Sequence, residues 1–167
     1  MSNATYDLMH ASFSKMLPAL KGLLAKAEAD CAERKIEPKV LLEARLAPNM
    51  FHFTRQVQIT TDQVKGGLTR LAGAEPPSWP DTEASFGELI ARVDKAIALL
   101  GQATPAQYDG AEARKITLKF PNASLDFNGR DYLYGFVIPN FYFHMTAAYA
   151  ILRHNGVALG KRDFLGG

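Results

Sequence analysis

Apolar residues recur at Met9, Phe13, Met16, Leu20, Leu23 or Leu24, Ala27 and Cys31, in steps of three and four that put them on one face of a first helix. Pro18 falls inside it and removes a backbone donor, which predicts a kink or a late start. A break at Ile36-Glu37-Pro38 and a short turn with Val40, Leu41 and Leu42 lead to Asn49, which reads as the N-cap of a second helix. Met50, Phe53, Val57, Val64, Leu68 and Leu71 keep the spacing there. Glycine in a helix costs about 1 kcal/mol relative to alanine, so the pair Gly66-Gly67 predicts a kink or a close helix contact.

The stretch from Gly73 to Asp81 carries Pro76, Pro77 and Pro80 around the single tryptophan, Trp79, and reads as an irregular connector. Ser85 and Glu88 have capping-box spacing ahead of Phe86, Leu89, Ile90, Val93, Ile97 and Leu100, with Gly101 as a stop and Thr82 as the alternative start. That is helix three. The period then falls to two: Ile116, Leu118 and Phe120 alternate with Lys115, Thr117 and Lys119, and the alternation resumes after Pro121-Asn122 at Ala123, Leu125 and Phe127. A small hairpin is expected. Asn128-Gly129 turns the chain into a fourth helix from about Arg130 to Asn155, interrupted by Pro139 and capped by Gly156. Val157, Leu159, Phe164 and Leu165 make the tail apolar enough to dock on the helices. The pattern therefore predicts an all-α fold of four helices, with a β-hairpin between helices three and four, in one domain over residues 1–167.

Composition agrees with that picture: of 167 residues 47% are hydrophobic and 22% charged, and folding at this length buries roughly 70% of the surface of the unfolded chain. Such a core needs neither a metal nor a disulfide to hold it. A formal net charge of +2 gives no field to draw in nucleic acid or an anionic membrane, so neither is expected as a partner. Cys31 is the single cysteine, no stretch approaches 18 apolar residues, and no basic-then-apolar leader opens the chain; a cytoplasmic location is expected. Without such a leader the sequons at Asn3 and Asn122 carry no glycan.

Candidate chemistry concentrates on the last helix, whose inward stripe runs Leu133, Val137, Asn140, His144, Ala147, Ile151 and His154. Asn140 and His144 stand four apart and project from adjacent turns, as a helix presents two metal ligands or a positioned acid and base; a hydrogen-bonded polar pair in the core is the competing reading. Asn140 weakens the metal reading, since an amide oxygen is a poor zinc ligand beside imidazole or carboxylate. On helix two His52 lies at the edge of the apolar face, with Gln56 closer to it. His10 reads as surface, His154 as a group favoured by the helix C-terminal dipole, and Cys31 as inert packing. No phosphate-binding glycine loop, zinc-protease helix or nucleophile elbow occurs. The aromatic set Tyr132, Tyr134, Phe136, Phe141, Tyr142, Phe143 and Tyr149 is too broad for one seam, which predicts a central helix, a homodimer interface, or both.

The segment from Asn140 through Phe141-Tyr142-Phe143-His144-Met145-Thr146 to Asn155-Gly156, followed by Gly160-Lys161-Arg162-Asp163-Phe164-Leu165, resembles the uncharacterised bacterial domain-of-unknown-function family numbered nineteen-ninety-three. Met50, Phe51, Arg55, Gln56, Val57 and Gln58 extend the likeness, which covers nearly the whole chain. That family resembles a branch of the DinB/YfiT-like superfamily. The resemblance implies a four-helix bundle, a homodimer and, in many relatives, a divalent metal such as zinc or nickel held by three histidines, some relatives being thiol-dependent transferases or isomerases. It lays the two histidines of the last helix on Asn140 and His144, and the third on Gln56 or Gln58, with His52 a turn or more too early. Only His144 matches in type. The favoured expectation is a metal-free small-molecule-binding or dimeric interaction module whose pocket takes His144, Asn140, Gln56 and His52. The alternative is a metal-dependent thiol transferase or hydrolase with His52 and His144 as ligands.

Overall fold

A computed structural model describes residues 3–167. The chain is mostly helical, 66% of it, with one two-stranded antiparallel hairpin. Among the described residues seven helices follow one another: α1 (Ala4–Arg34), α2 (Pro38–Leu42), α3 (Phe53–Leu71), α4 (Phe86–Gly101), α5 (Gly129–Asp131), α6 (Ile138–His154) and α7 (Lys161–Leu165), with strands β1 (Lys115–Phe120) and β2 (Ala123–Asn128) between α4 and α5. The four longest are those the hydrophobic pattern traced. They pack α6 on α3, α3 on α4 and α4 on α1.

The buried residues of α1 continue the stripe in full, from Met9 and Phe13 to Cys31, and Phe13 meets Phe141 of α6 with ring centroids 4.8 Å apart. Pro18 neither delays nor breaks α1; it stands on the exposed side, where solvent can bond the carbonyl left without its donor. The start of α3 differs from the expectation. Arg45 Nη1 donates to the carbonyls of Pro48 and Met50, holding residues 43–52 as a loop, so the helix opens at Phe53 with His52, not Asn49, as its cap. Ser85 does cap α4, accepting from the Glu88 amide at 3.2 Å, and Glu88 Oε2 accepts from the Ala84 amide at 2.6 Å. The hairpin pairs Phe120 with Ala123 across Pro121-Asn122, with Ile116 and Leu118 buried.

The last helical run begins at Gly129, where a Cβ would stand 1.8 Å from the Ala111 carbonyl oxygen, so only glycine fits. Between α5 and α6 the chain widens into a π-helical turn, Tyr132–Val137, just ahead of Pro139. Proline supplies no N–H to the turn before it, and a wider turn re-registers the hydrogen bonds without breaking the helix. Gly67 explains half of the glycine pair: a Cβ there would stand 3.0 Å from Val137 of this turn, so its absence lets α3 and the last helix approach. The tail docks as expected, with Val157 and Leu159 buried and Phe164 of α7 packed edge-on against Tyr149 at 5.6 Å.

Candidate functional site

Gln56 on α3 and His144 on α6 face each other across the seam of the two helices, 1% and 8% exposed. His144 Nδ1 lies 2.7 Å from Gln56 Oε1, and Gln56 Nε2 donates to the Phe51 carbonyl at 3.0 Å. That second bond assigns the amide's orientation: Nε2 is spent on a carbonyl, Oε1 faces the imidazole, and Nδ1 must carry the proton it donates. Nε2 of His144 then holds the lone pair. It bonds no protein group, and no buried side-chain nitrogen or oxygen among the described residues is without a partner, so Nε2 lies at the exposed edge of the ring. Burial lowers the pKa of His144, and the positive charge of Arg55 lowers it further. The imidazole is neutral at pH 7.

Asn140 and His52 are engaged elsewhere. The Asn140 amide donates to the Phe136 carbonyl at 2.7 Å, one turn back in its own helix, and so serves the π-helical turn. His52 caps α3, its Nδ1 accepting from the Arg55 amide at 3.4 Å, and opens onto a cleft of about 620 Å³ shared with Lys39, Glu43, Arg45 and Glu83. Of the four candidate side chains, Gln56 and His144 are brought together. Among the described residues no three of His, Cys, Asp and Glu gather as a metal-holding group. His10 is exposed, as expected; His154 is exposed too, off the inward stripe on which the pattern placed it, and Cys31 is buried, its thiol pKa raised by burial and by neighbouring Asp30.

Sequence reading missed the other buried polar centre. Arg92 of α4 is 2% exposed, and it directs Nε to Thr61 Oγ1 at 2.9 Å, Nη1 to the Pro80 carbonyl at 3.1 Å and Glu83 Oε1 at 2.9 Å, and Nη2 to Asp62 at 2.9 Å and Asp81 at 3.0 Å. Four of these contacts are hydrogen bonds, to Thr61, Pro80, Glu83 and Asp62, and Asp81 adds an ion pair. Glu83 passes the network to Gln58 at 2.9 Å, Gln58 accepts from Arg55 at 3.3 Å, and Arg55 pairs with Asp81, which closes the ring. Burial alone would raise the pKa of Glu83, but the hydrogen bonds from Arg92 and Gln58 outweigh it and hold the carboxyl below its ordinary range. The ring binds the proline-rich connector to α3 and α4. One clue was available: Arg92 occupies the inward stripe of helix three, one residue before Val93.

Over the α3–α6 seam the surface turns apolar. Phe51, Phe143 and Leu46 are 55%, 58% and 40% exposed, and a shallow groove of about 470 Å³ runs between residues 43–52 and α6, lined by Leu46, Met50, Tyr142 and Phe143 among others and by no charged side chain. Phe143 stands edge-on to the His144 ring, centroids 5.1 Å apart.

The long helices and the hairpin define a small, mostly helical protein. A DinB family member protein from Shewanella denitrificans, solved by crystallography at 1.83 Å resolution, has this fold: it superposes with a TM-score of 0.87 at 40% identity, over 97% of this chain and 92% of that one. The family model described as Domain of unknown function (DUF1993) matches residues 5–165, and the chain belongs to that family. No curated protein matches.

Proposed function

We propose that this protein is a cytoplasmic, metal-free four-helix bundle, built of α1, α3, α4 and α6, that works as a homodimeric interaction module. The second copy docks on the apolar face of α6 and residues 43–52. Gln56, His144 and Asn140 hold that face in shape. The observation that carries the reading is the uncharged groove lined by exposed Phe143 and Leu46. A two-fold interface sets residues near its axis against their own copies, so charge there would repel itself, and an uncharged apolar face is the composition that a second copy of the same chain accepts.

Three features favour a protein without zinc or nickel at the seam. The positions the family resemblance equates with a histidine triad hold one imidazole and two amides, and amide oxygens are weak ligands for either metal. The Gln56 and Asn140 amides already bond protein groups. His52, the alternative ligand, spends Nδ1 on the cap of α3.

Sedimentation velocity at micromolar concentration tests the assembly. A dimer is expected for the natural chain, and a monomer of unchanged helicity for Phe143→Glu. A natural chain that sediments as a monomer overturns the proposal, as does a dimer unaffected by Phe143→Glu and Met50→Glu together.

A further inference from the structure

Away from that face, the end of α3, the turn after it and β1 enclose a groove of about 610 Å³ whose charge is one-sided. Arg70, Arg114, Lys115 and Lys119 line it against one carboxylate, Glu75. None of these four cations forms an ion pair with a described carboxylate. The nearby acids are committed elsewhere: Asp126 accepts from Thr117 at 2.6 Å, and Asp62 serves Lys65 and Arg92.

The two arginines are also held in place. Arg70 Nη1 donates to the Tyr132 hydroxyl at 3.0 Å and lies across Gly66, where a Cβ would stand 2.5 Å from that nitrogen. Arg114 Nη1 donates to the Leu71 carbonyl, and its Nε passes over Gly73, whose φ is +82° and where a Cβ would come within 3.3 Å. Each guanidinium thus spends one N–H on a fixed anchor and rests on a glycine seat, which leaves a planar fork with unused donors beside the groove. Lys115 and Lys119 add two charges from the exposed face of β1. The groove adjoins a second hollow of about 430 Å³ that shares Arg70, Glu75 and Lys119, adds the ion-paired Asp62 and Lys65, and is walled by Phe120, Tyr132 and Phe136, the last two stacked at 5.8 Å and 15°.

We infer that this double groove binds a small phosphorylated ligand, its phosphate or pyrophosphate between Arg70, Arg114, Lys115 and Lys119 and a flat ring against Phe120 and Phe136. Fixed guanidinium forks match phosphate oxygens in geometry, and four cations facing one carboxylate match a group that carries about two negative charges at neutral pH. The site is separate from the dimer face, and the two readings can fail independently.

Calorimetric titration at about 0.15 M salt, where screening beyond roughly 8 Å removes diffuse attraction, tests it with two probes, inorganic pyrophosphate and adenosine 5′-diphosphate. Saturable one-to-one binding of both is expected, tighter for the nucleotide because of its ring. Lys115→Gln with Lys119→Gln changes two exposed side chains without packing partners, so the melting temperature should hold while Kd rises about tenfold or more. Arg70→Gln should weaken binding as strongly, with its fold checked by the same melt. Absence of saturable binding overturns the inference, and so does binding that the double lysine variant leaves unchanged. Single-stranded RNA that binds while both small probes fail also overturns it.

Discussion

Helix α3 serves two buried polar centres of opposite character. Gln56 turns toward α6 and accepts one hydrogen bond from His144, whereas Arg55, Gln58, Thr61 and Asp62 turn toward α4 and the proline-rich connector, where Arg92 makes four hydrogen bonds and an ion pair to Asp81. With Lys65 on Asp62, the Arg92 centre sets three cations against three carboxylates. The His144 centre is neutral and keeps an unbonded Nε2 at its exposed edge. A charge network closed around a buried arginine marks a group that fixes the fold; spare capacity at a surface marks a place where another molecule can be met.

The largest effect is therefore expected at Arg92. Arg92→Met strips Asp62, Asp81, Glu83 and Thr61 of their shared donor; with Asp62 and Asp81 partly exposed and still paired to Lys65 and Arg55, the cost should fall below the roughly 3–5 kcal/mol of a fully buried pair, at about 2–3 kcal/mol. Urea denaturation should read that loss. Arg92→Lys should recover little, because an ammonium cannot reproduce the five-point fork. A loss below 1 kcal/mol for Arg92→Met would erase the distinction between the centres.

At the other centre, His144→Gln keeps a hydrogen-bonding group and should cost about 1–2 kcal/mol at pH 8, read as a lower melting temperature. Equal stability of the two proteins would refute a structural role for the imidazole. The centres also separate on the pH axis. The folded pKa of His144 lies below the ordinary value of 6.5, so its contribution is complete above 6.5 and is lost as pH falls from there through the folded value. Glu83 titrates below its ordinary 4.5, so its contribution is complete above 4.5 and is lost only as pH falls through that lower folded value. Stability should decline in two limbs on acidification; His144→Gln should remove the upper limb, and Glu83→Gln should shrink the lower, to which Asp163 also contributes. One merged transition in both variants would contradict the separation.

The smallest effect concerns Asn140. Asn140→Ala removes one donor from the Phe136 carbonyl in the half-buried π-helical turn and should cost about 1 kcal/mol in the same denaturation assay. A larger loss, with loss of dimer, would move Asn140 from helix support into the interface itself.

Periodicity carried most of the fold, for a physical reason: Met9 to Cys31, Phe53 to Leu71 and Phe86 to Leu100 each bury one stripe, and a single buried face is what a repeat of three and four encodes. The hairpin was legible because Ile116 and Leu118 are buried between exposed lysines. What pattern could not supply was long-range pairing. Arg45 holding Pro48 and Met50 moved the start of α3 to Phe53, and a carbonyl contact 18 residues away in sequence, Ala111 to Gly129, explains a glycine that reads locally as a turn. At the site, Gln56 and His144 were both legible as inward polar residues. Whether Gln56 or His52 would meet the imidazole depended on how α3 is rotated against α6, which no local pattern in α3 encodes. Arg92 escaped notice because a single arginine inside an apolar stripe reads as a helix-edge cation until the connector from Asp81 to Glu83 is folded over it.

Metal uptake separates a neutral Gln56–His144 hydrogen bond beneath an apolar face from a working metal centre. Untagged protein should be equilibrated with excess zinc or nickel, freed of unbound ion by gel filtration, and assayed for metal per chain beside His144→Ala. The account requires metal content far below one ion per chain in both proteins. Near-stoichiometric metal in the natural chain that His144→Ala abolishes would contradict it.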